Sequence, residues 1–204
     1  MTRIGLTGTV GAGKSTVGRL FESWGAWRID ADQLAREAVE PGTRGHAAVL
    51  ERFGERVRAA DGSIDRAALR AIVFDDAAAR ADLEAIVHPV VYQEIRQWFE
   101  ELERPSDRPS VAVATIPLLY ETGRDGDFDQ VIVAACPRQA QIDRLVARDG
   151  LTREAASRRL ASQWPIDEKA RRADHIIDTS GTFEETDRQV EALWRRLCRD
   201  ADQL

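Results

Sequence analysis

Asparagine is missing from all 204 residues, and lysine nearly so: of 29 basic residues only Lys14 and Lys169 are lysines, the rest being arginines. A chain without asparagine cannot carry the asparagine-lysine-x-aspartate motif by which GTP-dependent switches commonly recognise guanine. Cysteine is scarce too. Cys136 and Cys198 are too few and too widely spaced for a disulfide framework or a zinc site, so a reducing cytosol is expected. No apolar run is long enough to span a membrane and no N-terminal signal pattern is present, so a soluble, cytoplasmic protein without a membrane partner is expected. Positive charge is in deficit, with net charge −6 and pI near 5.2, which argues against a general nucleic-acid binder. The length supports one sizeable core, alone or with small appended parts.

What is present is concentrated near the start. Gly8-Thr9-Val10-Gly11-Ala12-Gly13-Lys14-Ser15-Thr16 has the glycines, lysine and hydroxyl residues of a phosphate-binding loop. Arg3 to Thr7 reads as a buried strand before it. Val17, Leu20, Phe21 and Trp24 recur at helical spacing after it, so the loop joins a strand to the N-terminus of an amphipathic helix. That geometry aims backbone N–H groups and the positive helix end at one point, where they hold an anion such as the phosphates of ATP. Gly8, Gly11 and Gly13 let the backbone wrap phosphates, Lys14 neutralises the β and γ oxygens, and Ser15 offers its hydroxyl to Mg2+. Ala12 and Thr16 complete the expected ATP contacts. In an arginine-rich chain, a retained lysine points to a need for its compact charge.

The remaining pattern alternates strands and helices. A second strand, Ala26 to Ile29, ends at Asp30-Ala31-Asp32, on the sheet edge where open α/β folds bind ligands. Asp30 reads as a helix cap, and Asp32 is the better catalytic carboxylate. Residues 43 to 104 carry only helical signals: Val49, Leu50 and Phe53; a helix capped by Asp65; Leu83, Ile86 and Val87 before His88-Pro89; then a stripe of Val91, Ile95, Trp98, Phe99 and Leu102. Pro105 to Pro109 reads as a turn or linker. Strands follow at Ser110 to Ile116, Gln130 to Ala135 and His175 to Asp178. Arginines crowd the stretch before the last strand, with Arg144 and Arg148 one helical turn apart on the helix leaving the fourth. Thr152 is expected to cap a further helix. Thr182 to Glu185 matches a capping box for a final helix with an inner face of Phe183, Val190, Leu193, Trp194 and Leu197.

Phosphate loop, strand-end carboxylate, helical insert and arginine-rich lid together describe a small-molecule kinase of the P-loop α/β class. The expected architecture is a five-stranded parallel sheet flanked by helices. Its core is 1–30, 108–143 and 173–204, with a helical acceptor-binding insert over 31–107 and a lid over 144–172. Phosphoryl transfer needs mainly alignment and charge neutralisation, so one base, Asp32, suffices, with Lys14 and Arg144 stabilising the transferring group. Read this way, the acceptor is open among nucleosides, nucleotides and sugars.

The chain resembles the dephospho-CoA kinase family nearly end to end. The resemblance rests on Gly5-Leu6-Thr7-Gly8, Asp30-Ala31-Asp32-Gln33-Leu34-Ala35-Arg36, Val39-Glu40-Pro41-Gly42, Ile86-Val87-His88-Pro89 and Pro117-Leu118-Leu119 with Glu121. Arg144 with Arg148-Asp149, Gln163 with Pro165, and Ala173-Asp174 add to it. It implies transfer of the γ-phosphoryl of ATP to the ribose 3′-hydroxyl of dephospho-CoA, with Mg2+, by a monomer or small homo-oligomer. It also implies Asp32 as base, Asp32, Arg36, His88, Pro117, Leu118, Leu119 and Glu121 near the acceptor, and Arg144 and Arg148 on the ATP phosphates. His88 equally reads as a helix-terminus residue before a proline. Three positions depart from the family. Thr9 replaces the usual glycine. Ala114-Thr115 stands where an acidic residue is frequent, which passes outer-sphere support of the metal to Asp32 or Glu121. Thr179-Ser180-Gly181 replaces an asparagine-containing turn.

Overall fold

The computed structural model describes residues 1–104 and 109–201; Pro105 to Arg108, most of the expected linker, and residues 202–204 lie outside these. In chain order the elements are β1 (Thr2–Thr7), α1 (Lys14–Ser23), β2 (Trp27–Asp30), α2 (Ala31–Glu37), α3 (Arg44–Phe53), α4 (Arg66–Asp75) and α5 (Ala77–Glu103). Then come β3 (Val111–Thr115), β4 (Gln130–Ala135), α6 (Arg138–Asp149), α7 (Arg153–Ala161), α8 (Ile166–Arg172), β5 (His175–Asp178) and α9 (Phe183–Ala201). The chain divides into two compact units, 1–30 with 101–204, and 31–100.

The first unit holds one five-stranded sheet in the order β2-β3-β1-β4-β5, every pairing parallel. Chemistry sets that order. The apolar runs of β3 and β4 suit strands covered on both faces, and with β1, buried at every position but Arg3, they take the centre. β2 and β5 fall at the edges, where Trp27 and Ile176 are exposed. Ile4, Leu6, Val113 and Ile132 have no exposed surface, and Val17 and Phe21 of α1 pack with Val190, Leu193 and Leu197 of α9 in the same core. Truncating a side chain such as Leu197 to alanine costs about 2–5 kcal/mol in such a setting. Leu145, Ala156 and Leu160 form a second small cluster between α6 and α7, and Val10 of the phosphate loop packs against it. Arg3 adds a two-pronged ion pair to Glu103 at the end of α5, with Arg3 Nη2 2.8 Å from Glu103 Oε2.

The capping box forms as read. Thr182 N–H donates to Glu185 Oε2 at 2.8 Å and Glu185 N–H to Thr182 Oγ1 at 3.2 Å. Phe183 does not join the inner face, however, being 58% exposed. The packed face begins one turn later, at buried Thr186, because the first turn is held by the box rather than by side-chain packing.

The second unit is helical throughout, save for one isolated bridge between Arg58 and Ile64 among the described residues. Thr43 caps α3 by accepting from His46 N–H, and Asp65 caps α4 by accepting from Ala67 and Ala68 N–H, each at 3.0 Å. Asp76 does the same for α5. That helix does not stop at His88-Pro89; it runs 27 residues with Pro89 inside it. A mid-helix proline removes one backbone bond and costs about 3 kcal/mol. Val87, Val91, Tyr92, Ile95 and Phe99 are all buried along the helix, and the packing of such a stripe outweighs that cost. His88 is therefore a mid-helix residue, edge-on to Tyr92 one turn later.

Candidate active site

The loop from Gly8 to Gly13 leaves β1 and enters α1 as the sequence requires. Gly11 and Gly13 adopt φ of +79° and +84°, a left-handed backbone that side chains resist. Space forbids a side chain as well. A Cβ on Gly11 would lie 2.9 Å from the Gln141 carbonyl oxygen, and one on Gly13 about 3.1 Å from the Thr179 side chain. Gly13 is the N-cap of α1 and brings no capping side chain, so no side chain closes the helix N-terminus on the loop side. Lys14 and Ser15 open the helix, Ser15 being exposed.

The loop is braced from behind by groups that no phosphate-loop motif includes. Thr9 Oγ1 donates to Gln141 Oε1 at 2.6 Å, and Gln141 Nε2 donates to the Cys136 carbonyl at 2.9 Å. Both side chains are buried, so Thr9 closes a hydrogen-bond chain between the loop and the β4–α6 turn. Thr179 Oγ1 donates to the Ala12 carbonyl at 2.7 Å. Arg144 donates to Gly11 O at 3.2 Å, to Thr179 Oγ1 at 3.3 Å and, through its other terminal nitrogen, to Thr179 O. It also lies 3.4 Å from Cys136 Sγ, whose thiol burial pushes up in pKa while the guanidinium opposes the shift. Arg144 thus meets the phosphate loop, but at its backbone.

Arg148 is not brought to the same place. It is exposed and paired with its neighbour Asp149, Nε to Oδ1 2.7 Å, and that bond raises the arginine and lowers the aspartate pKa. Arg159 approaches the same carboxylate at 3.1 Å, and Arg153 pairs with Asp143 at 2.9 Å, so both lie on solvated faces.

The other side of the site is the turn after β3. Leu119 is fully buried, its Cδ2 lying 3.0 Å from where a Cβ on Gly5 would stand, whereas Pro117 and Leu118 are half-buried. Glu121 Oε1 accepts from Trp164 N–H at 3.0 Å and lies 2.9 Å from Lys169 Nζ, while its Oε2 is buried with no hydrogen-bond partner among the described residues. Tyr120 lies parallel to Trp164, ring centroids 6.5 Å apart, and burial first of all raises its pKa to about 12. In the helical unit, Asp32 and Arg36 lie one turn apart on α2, both exposed, and Asp32 is in the first turn. Asp30 closes β2 and its carboxylate pairs with Arg28 at 3.3 Å.

Gln141, Trp164, Lys169 and Thr179 thus join the site without belonging to a recognised motif. Each had some signal. Lys169 is one of two lysines; Gln141 is a polar residue one turn before Leu145 on the inner face of α6; Thr179 directly follows the last strand; Trp164 sits between Gln163 and Pro165.

A glycine-rich loop between the central strand of this parallel sheet and a helix opened by lysine and serine defines a P-loop kinase. The shikimate kinase of Acinetobacter baumannii, solved with shikimate, shares the fold, with TM-score 0.53 and 19% identity over 98% of this chain and 94% of that one. The chain belongs to the dephospho-CoA kinase family, whose model matches residues 2–185. A dephospho-CoA kinase of Geobacter sulfurreducens is 48% identical over 196 residues, 96% of this chain and 98% of the relative. The solved dephospho-CoA kinase of Campylobacter jejuni superposes with TM-score 0.72 at 27% identity, covering 97% of this chain and 98% of that one.

Proposed function

We propose that this chain transfers the γ-phosphoryl group of ATP to the ribose 3′-hydroxyl of dephospho-CoA, giving CoA and ADP. The observation that carries the reading is the family match over residues 2–185, which includes the phosphate loop and the Asp30-Ala31-Asp32 motif. The loop from Gly11 to Ser15 and the Lys14 ammonium hold the nucleotide phosphates, with Ala12 and Thr16, whose N–H groups donate to Thr9 O and Gly13 O, keeping the loop's turn beside them. Gly8 opens the loop, and Arg144 keeps its backbone in shape. Mg2+ bound with the nucleotide neutralises phosphate charge. The exposed Ser15 hydroxyl at the start of α1 suits an ion that takes few protein ligands besides phosphate and water.

Asp32 serves as the base. As the acceptor oxygen bonds to the γ-phosphorus and the bond from phosphorus to the β–γ bridging oxygen breaks, the hydroxyl proton passes to the Asp32 carboxylate. Arg36, His88, Pro117, Leu118 and Glu121 form the acceptor side, and Leu119, fully buried, supports the turn that carries Leu118 from beneath. The insert carries the first two, and the 144–172 segment, with Arg148, closes over the phosphates and excludes water. The two cysteines are free thiols, in keeping with work in the reducing cytosol.

The test is direct. Purified protein with ATP, Mg2+ and dephospho-CoA is expected to form CoA, read by mass spectrometry, and Lys14→Ala to abolish it. Asp32→Asn is expected to lower kcat by about 10²–10⁴-fold while the KM for ATP stays nearly constant, because the base touches the acceptor. Undiminished turnover in that variant removes Asp32 from the role.

A further inference from the structure

Residues 163 to 169 run from the α7–α8 link into the first turn of α8, and their hydrogen bonds reach two loops far away in sequence. Gln163 Oε1 accepts from the Val10 N–H of the phosphate loop at 2.8 Å. Trp164 N–H donates to Glu121 Oε1, and Lys169 Nζ donates to that oxygen at 2.9 Å and to the Pro117 carbonyl at 2.8 Å. The Pro117 carbonyl also accepts from Thr7 Oγ1 at 3.2 Å, and Thr7 directly precedes the phosphate loop. One short segment therefore holds both the nucleotide loop and the turn proposed to meet the acceptor.

Lys169 is the centre of this arrangement. Among the described residues it is the only charged side chain that is buried, with no exposed surface. A chain that writes almost every other basic position as arginine keeps lysine here. The site offers two acceptors, the Pro117 carbonyl and Glu121 Oε1. A compact ammonium satisfies them with two of its three donors, whereas a guanidinium would bring five donors in a rigid fork. Arg172 lies over the Trp164 ring at 4.7 Å and over Tyr120 at 6.0 Å. Burial pushes the Lys169 pKa down, and Glu121 opposes the shift.

We propose that Lys169 is a positioning residue for phosphoryl transfer: it fixes the Glu121 carboxylate through Oε1, while Oε2 has no hydrogen-bond partner among the described residues, on a segment that Gln163 ties to the phosphate loop. The inference rests on the reading that Glu121 contacts the acceptor. An ammonium held at Oε1 orients the carboxylate without occupying Oε2, so the lysine acts on acceptor alignment through Glu121 and leaves nucleotide binding to the loop itself.

The experiment compares wild type, Lys169→Met, Glu121→Gln and the double variant in full-length protein. It measures kcat and KM for dephospho-CoA and for ATP separately, with melting temperatures alongside. Lys169→Met and Glu121→Gln are each expected to lower kcat/KM for dephospho-CoA by about 10–100-fold, with the KM for ATP within about threefold of wild type. The double variant is expected to be no worse than the more impaired single, because both act through one carboxylate. Lys169→Met that melts lower but keeps wild-type acceptor kinetics overturns the proposal, as do losses that multiply in the double variant. Unchanged acceptor kinetics in Glu121→Gln overturn the acceptor reading of Glu121 itself, so the two failures are distinguishable. An effect of Lys169→Met without one of Glu121→Gln also overturns the positioning role. Should Lys169→Met fail to fold because it buries an unpaired carboxylate, the double variant carries no such charge. Kinetics equal to those of Glu121→Gln then support the proposal, and a further loss overturns it.

Discussion

Arg144 connects two carbonyls on different elements, Gly11 O in the phosphate loop and Thr179 O after β5. Spanning both requires the planar fork of a guanidinium, which an ammonium lacks. Hydrogen bonds of a charged donor contribute about 1.5–3 kcal/mol each, and about 1.4 kcal/mol is a factor of ten. Arg144→Ala and Arg144→Lys are therefore both expected to raise the KM for ATP by about tenfold or more, through a loosened loop. Steady-state kinetics at saturating dephospho-CoA check this. A lysine variant with the wild-type KM would show that charge, not geometry, is what position 144 supplies. The same residue marks a limit of motif reading. Its place on the helix after β4 follows from sequence, but its contact with the loop's backbone, across 133 residues of chain, does not.

At the scale of elements, local signals translate into structure where the interactions are local. The Thr182–Glu185 box, the Asp65 cap and the Thr152 cap, which accepts from Ala155 N–H at 3.2 Å, all form within three residues of chain. Thr182→Ala removes an N-cap acceptor and is expected to lower unfolding free energy by about 1 kcal/mol with kcat unchanged. Urea denaturation beside a turnover assay tests this, and a loss of activity at full stability would place the box in the catalytic apparatus. Two local readings fail, for different reasons. Pro89 ought to end a helix, yet α5 continues because its buried stripe packs over the neighbouring turns, which is not local. Phe183 ought to pack beneath a helix, yet it stays in solvent because the capping box already holds that first turn.

At the scale of the whole molecule, stability is expected to depend on pH through His175 at the start of β5. Its Nε2 lies 2.7 Å from Gln130 Oε1 on the adjacent strand. Burial chiefly lowers its pKa from 6.5; Arg196 adds to this, while Asp174 and Asp200 oppose it. A histidine that resists protonation when folded binds its proton more readily when unfolded. Stability is therefore full above pH 6.5 and is lost as pH falls from there through the folded value. Unfolding free energies at pH 7.5 and 5.5 are expected to differ less in His175→Gln than in wild type. An equal difference would assign the acid sensitivity to other groups.

The sequence by itself determined the phosphate loop, the five strands, the helical character of 31–100 and the motifs that carry the family. These depend on residues close together along the chain, on side-chain period, and on glycine where the backbone is left-handed. Only the tertiary structure decided which side chains support the loop. Thr9 meets Gln141 across 132 residues, Val10 meets Gln163 across 153, and Lys169 meets Pro117 across 52. Such pairings follow from strand order: parallel β3 and β4 flank β1 and bring their C-terminal turns to the edge where the loop begins. A buried ammonium or amide takes its partner from whatever that edge assembles, and no spacing along the chain encodes it.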